Sequence, residues 1–133
     1  MTPAIVLATV AAGGGAAVVR YLVSRAFAPP DRPGSRSNFP WAVLVVNVVG
    51  SAIGGAVLGL AAQGNVDAGI QLILLTGFCG GLTTFSTLSV ETVQLAVSGR
   101  WRVAALSVGA NFAVGIAAAV GAYALCAYVL VIA

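Results

Sequence analysis

The residues Gly77-Phe78-Cys79-Gly80-Gly81-Leu82-Thr83-Thr84-Phe85-Ser86-Thr87 sit midway along an apolar stretch that runs from Ala68 to about Ser98. The stretch is long enough to cross a bilayer, but its centre is wrong for a simple span. Glycine costs about 1 kcal/mol relative to alanine inside a helix, and three glycines fall within residues 77–81. Four of the five residues 83–87 carry hydroxyls, at the depth where lipid is expected. Backbone that leaves the helix inside a membrane is tolerated only where protein or a water-filled cavity satisfies it. The pattern therefore predicts two half-helices meeting near Gly80–Thr83. The competing reading is a glycine-rich packing face whose serines and threonines bond back to their own helix.

The flanking sequence supplies three more spans. The first runs from about residue 3 to 28, with Arg20 in its C-terminal third. No basic residue precedes it and it continues past Arg20 to Phe27, so it reads as a retained span and not a signal peptide. A loop rich in proline, glycine and arginine follows, from Pro29 to Asn38. The second span runs from about 40 to 63, starting at Pro40 and ending at Gln63-Gly64-Asn65. The broken third covers about 68–98 and the fourth about 103–131. Together they predict an all-α membrane protein of four transmembrane helices, forming one domain over residues 1–133. Gly50, Gly54, Gly55 and Gly59 mark close helix packing along the second span.

Composition agrees. Sixty per cent of the 133 residues are apolar and 7% charged, whereas a soluble domain carries about 25% charge. That excludes an ordinary soluble enzyme, a nucleic-acid binder and a disordered chain. Histidine is absent, so the commonest general base and metal ligand are missing. Cys79 and Cys126 belong to no metal or redox motif and read as inert thiols. The net charge of +3 comes from scattered arginines. Arg25, Arg32, Arg36, Arg100 and Arg102 all fall on the side of the first and third loops. The opposite side has no Lys or Arg, so both termini are expected outside the cytoplasm.

Few polar groups remain within the spans, among them Arg20, Asn47, Ser51, Thr76, the 83–87 cluster, Glu91, Thr92, Gln94, Ser107 and Asn111. Buried in lipid, such groups are costly and mark function. Ser107, Asn111 and Gly115 share one face of the fourth span, a candidate polar track. Neutral hydroxyl and amide donors suit an anion, whereas a cation path needs rings of carbonyls or carboxylates. The edge of an aromatic ring is electropositive, so Phe85 can face an anion edge-on.

The 77–87 segment followed by Glu91 resembles the signature of the Fluc/CrcB fluoride channels. Gly14-Gly15-Ala16 with Arg20-Tyr21, and Asn47-Val48-Val49-Gly50-Ser51, also resemble that family, and the likeness covers nearly the whole chain. The resemblance implies an antiparallel dimer of four-helix subunits with two narrow fluoride pores. It implies passive fluoride efflux that lowers cytoplasmic fluoride toxicity, and a location in the cell (inner) membrane. It also implies a structural Na+ at the dimer centre, held by the backbone carbonyls of Gly80 and Thr83 and not transported. By the same likeness Asn47, Phe85, Leu88, Ser86, Thr87 and Glu91 fall at pore positions, Ser107 and Asn111 on the fourth-helix track, and Arg20 in the vestibule.

Two departures matter. The family pattern has a second phenylalanine where this chain has Leu88. And the five-to-zero arginine bias opposes insertion in both orientations, which self-paired antiparallel subunits require. Both favour pairing with a homologous, oppositely oriented subunit, with a homodimer as the alternative. Two other functions compete: a small proton-coupled drug exporter, which needs an acid in its first span that this chain lacks, and a non-conducting channel subunit.

Overall fold

A computed structural model describes residues 2–27 and 39–132. All regular structure among them is helical. The basic loop with Arg32 and Arg36 lies outside the described residues. Helix α1 is Pro3–Ala26 and α2 is Trp41–Ala62. Helix α3 covers 68–82, α4 is Phe85–Val97 and α5 is Trp101–Ile132. Four spans result, because α3 and α4 together make one crossing.

Local chemistry sets the ends. Asp67 caps α3, its Oδ1 accepting from the amides of Gly69 at 2.8 Å and Ile70 at 3.1 Å. Helix α2 stops at Gly64 and α4 at Gly99, both with positive φ. Each stop is a Schellman cap: the amide of Asn65 returns to the Leu60 carbonyl, and that of Arg100 to the Leu95 carbonyl. Helix α5 has 32 residues, or about 48 Å at 1.5 Å per residue, longer than the hydrocarbon core.

Apolar side chains point outward as well as in. Leu7 is 70% exposed, Val10 67% and Leu125 64%, while Ala16 is the one buried residue of α1. Such a surface is stable against acyl chains and not against water. Phe39 against Trp41, and Arg102 over the Trp101 ring at 5.6 Å, gather at the arginine-bearing end. Aromatics and arginines there suit a membrane interface.

Glycines decide how closely the helices approach. A Cβ at Gly55 would collide with the Ala119 carbonyl, and one at Gly59 would lie 2.6 Å from the Tyr123 carbonyl, so α2 and α5 touch backbone to backbone. On the other side α3 lies on α1. A Cβ at Gly81 would collide with the Gly13 carbonyl, and one at Gly77 would lie 2.7 Å from the Thr9 carbonyl. Small residues allow this approach, and dispersion rewards it.

Helix α3 is not uniform. Ala68–Leu72 is α-helical, Ile73–Cys79 is a π-helical turn, and Gly80–Leu82 returns to α. Gly80 and Gly81 thus stay helical. The chain leaves the helix at Thr83 (φ −76°, ψ 156°) and Thr84 (φ −148°, ψ 114°), the C-terminal edge of the predicted window. The two sequence readings divide the segment between them: the glycines pack and the threonines break.

Candidate anion groove at the broken helix

An interrupted helix inside a bilayer must satisfy its freed backbone groups locally. Here three side chains do so. Asn47, midway along α2, accepts from the Thr84 amide through Oδ1 at 2.8 Å. Its Nδ2 donates to the Thr84 carbonyl at 3.4 Å, so the carboxamide mimics a neighbouring peptide. Thr84 in turn caps α4, its hydroxyl accepting from the Thr87 amide at 3.1 Å and meeting the hydroxyls of Thr87 and Ser86. Arg20 reaches across from α1 and donates to the Thr83 carbonyl at 3.2 Å. Its guanidinium therefore holds the break, as well as carrying charge towards that level of the membrane.

Beside the break lies a groove of about 350 Å³, open on one side. Its floor is polar: Asn47, Ser51, Thr84 and Asn111. Asn47 Nδ2 donates to Asn111 Oδ1 at 2.8 Å, and Asn111 Nδ2 donates to the Ser107 carbonyl at 2.9 Å. Both Asn47 donors are thus engaged. One hydrogen of the Asn111 amide is left over for an occupant of the groove. A Cβ at Gly115 would lie 3.4 Å from the Ser51 hydroxyl, so that glycine keeps the floor open. The walls are apolar, with Phe85, Leu88, Phe112 and Ile116 among them. Phe85 is 74% exposed at the first position of α4, whose N-terminal dipole end is partially positive.

The residues singled out from sequence do not all meet. Asn47, Phe85, Leu88 and Asn111 line the groove together. Ser86 and Thr87 gather around the Thr84 hydroxyl. Ser107 is fully buried behind Asn111, with no hydrogen-bond partner for its hydroxyl. Glu91 lines a separate cavity of about 250 Å³ with Pro40, Gln94 and Ser98, and one of its carboxyl oxygens is buried without a partner. Leu88 is 5% exposed. Phe112 was not singled out from sequence, because helical spacing alone does not say which apolar residues of a fully apolar helix border a groove.

The carbonyls at the end of α3 suit a hard monovalent cation. The Thr84 amide, which would have closed on the Gly80 carbonyl in a continuous helix, bonds to Asn47 instead. That leaves the Gly80 carbonyl at the partially negative C-terminal end of a half-helix. Neutral oxygens fit Na+ chemistry, and among the described residues no cluster of acidic, cysteine or histidine side chains competes for a metal. The Thr83 carbonyl already accepts from Arg20, and only its second lone pair remains for a cation. Two carbonyls from one chain do not complete a coordination shell.

Residues 7–123 match the family described as "CrcB-like protein, Camphor Resistance (CrcB)". The chain belongs to the CrcB family. A protein of Thermobifida fusca named "Fluoride-specific ion channel FluC 1" is 38% identical over 104 residues, 78% of this chain and 80% of that one. The "Fluoride-specific ion channel FluC" of Maridesulfovibrio salexigens is 38% identical over 87% of this chain and 90% of its own. That of Agrobacterium fabrum is 40% identical over 90% and 94%. These CrcB relatives are named as channels and not as enzymes. With its four apolar crossings, the chain is a multi-pass membrane protein.

Proposed function

We propose that this chain is a subunit of a fluoride-specific channel through which F− leaves the cytoplasm down its gradient. The carrying observation is the groove at the break. It joins a neutral amide floor, an exposed aromatic ring at Phe85 and the positive end of α4, with no carboxylate in its lining. Those features replace an anion's hydration shell and offer a cation no carboxylate in exchange for its own. The names of the CrcB relatives favour fluoride as the anion.

The groove is open on one side, and the Gly80 and Thr83 carbonyls form half a coordination shell. Both features favour an antiparallel dimer in the cell (inner) membrane, with the second subunit closing each groove and a structural Na+ at the centre. When bound, Na+ supplies fixed positive charge between the two breaks. Arg20 would steady the Thr83 carbonyl, and Asn47, by taking the Thr84 amide, would leave the Gly80 carbonyl free for the ion. The arginine bias favours a fixed orientation with both termini outside. Together with Leu88, it favours a homologous partner of opposite orientation over a homodimer.

Purified protein in liposomes, read with a fluoride electrode, tests this. Fluoride flux that ignores an imposed pH gradient and excludes chloride is the expected result. Proton-coupled cation export would replace the reading with the exporter. No transport, alone or with a homologous partner, would leave a non-conducting subunit. Rapid fluoride flux from this chain alone would overturn the mixed pair and leave the homodimer.

A further inference from the structure

On α4 the groove is lined by Phe85 and by Leu88, which is 5% exposed. A leucine has no ring quadrupole, so Leu88 contributes apolar surface and no electropositive edge. On α5 the floor stripe is Asn111, Gly115 and Ala119, at four-residue spacing. Phe112 and Ile116 form the neighbouring stripe of α5 and also line the groove. Phe112 is 56% exposed. It is the one ring besides Phe85 among the residues that line the groove.

We propose that Phe112 supplies the second aromatic edge of the anion path, the one that Leu88 does not provide. An anion on the Asn111 amide would then lie between two rings from different helices of one subunit: Phe85 from the broken crossing and Phe112 from α5. The arrangement has a physical advantage. Phe112 follows Asn111 directly on a continuous helix, so its backbone is anchored beside that of the amide donor although the two side chains diverge by about 100°, whereas Phe85 sits at the start of a half-helix. This inference rests on the fluoride reading above.

Two substitutions separate ring from bulk. Phe112→Leu keeps apolar volume and removes the ring, at an exposed position where folding tolerates the change. Phe112→Tyr keeps the ring. Each is purified, checked by size-exclusion chromatography for the wild-type assembly, and reconstituted under conditions in which the wild type releases fluoride, with the homologous partner if the wild type needs it. Phe112→Leu is expected to slow fluoride release about tenfold or more while Phe112→Tyr stays near wild type. Wild-type flux from Phe112→Leu would overturn the proposal. So would equal loss in both variants, which would mean that the position is sensitive to packing and not to the ring. A wild type that releases no fluoride even with its partner would instead defeat the fluoride reading itself, before any variant is compared.

Discussion

Asn47 ties the broken helix to α2 and α5 at once. Its carboxamide satisfies both the N–H and the C=O of Thr84, a residue only 6% exposed, and joins Asn111 to the same network. Asn47→Ala leaves that buried amide unpaired, which costs about 1–3 kcal/mol. A lower melting temperature in detergent is expected, and an unchanged one would mean that the break is held elsewhere. Asn47→Asp keeps the oxygen that accepts from Thr84 but adds negative charge to the floor. It also loses both Nδ2 bonds, so its flux is read at matched assembly; it is expected to pass fluoride much more slowly, and wild-type flux would remove Asn47 from the path. The sequence placed Asn47 at mid-membrane and so marked it as functional. Its clamping role was not legible, because the partner amide lies 37 residues away and is exposed only by a break whose position had to be known first.

At the scale of the helix, the glycine-rich third crossing shows why composition located the break only approximately. Propensity alone makes Gly80 and Gly81 the weakest point. The structure keeps both helical, because Gly77 and Gly81 bring α3 against the backbone of α1 at Thr9 and Gly13, and that contact outweighs a propensity deficit of about 1 kcal/mol per glycine. The interruption falls three residues later, where side chains wait for the freed groups. The π-helical turn at Ile73–Cys79 left no mark in the sequence, since its residues are equally compatible with an ordinary helix. Overpacking separates the glycines that matter. Gly81→Ala and Gly55→Ala force a Cβ onto a neighbouring carbonyl and are expected to destabilise the fold by about 1–3 kcal/mol each. Gly121→Ala, with open space around it, is expected to melt as the wild type does. Equal behaviour of all three would mean that the helices do not meet backbone to backbone at Gly55 and Gly81.

For the molecule as a whole, the crossings were legible because about 20 apolar residues in a row have few alternatives to spanning a bilayer. Their lateral arrangement was not, because helices that are apolar all round do not announce their inner face. Ser107 and Asn111 share a helix face in sequence, yet one is sealed inside and the other opens on the groove. Orientation is a property of the entire chain. Arg25, Arg100 and Arg102 fall at the connections after the first and third crossings, and in the sequence Arg32 and Arg36 fall between the first and second. A tag at either terminus is therefore expected to react with an impermeant reagent on intact cells, and a mixture of protected and reactive tags would contradict a fixed orientation.

The most direct measurement is fluoride release from liposomes carrying the wild type beside liposomes carrying Phe85→Ile, each with the homologous partner if the wild type needs it, followed with a fluoride electrode. If the broken helix forms the anion path, the wild type empties its vesicles and the variant, assembled to the same degree, does so about tenfold more slowly or not at all. Equal release from both, or none from the wild type even with a partner, would contradict the channel at the break.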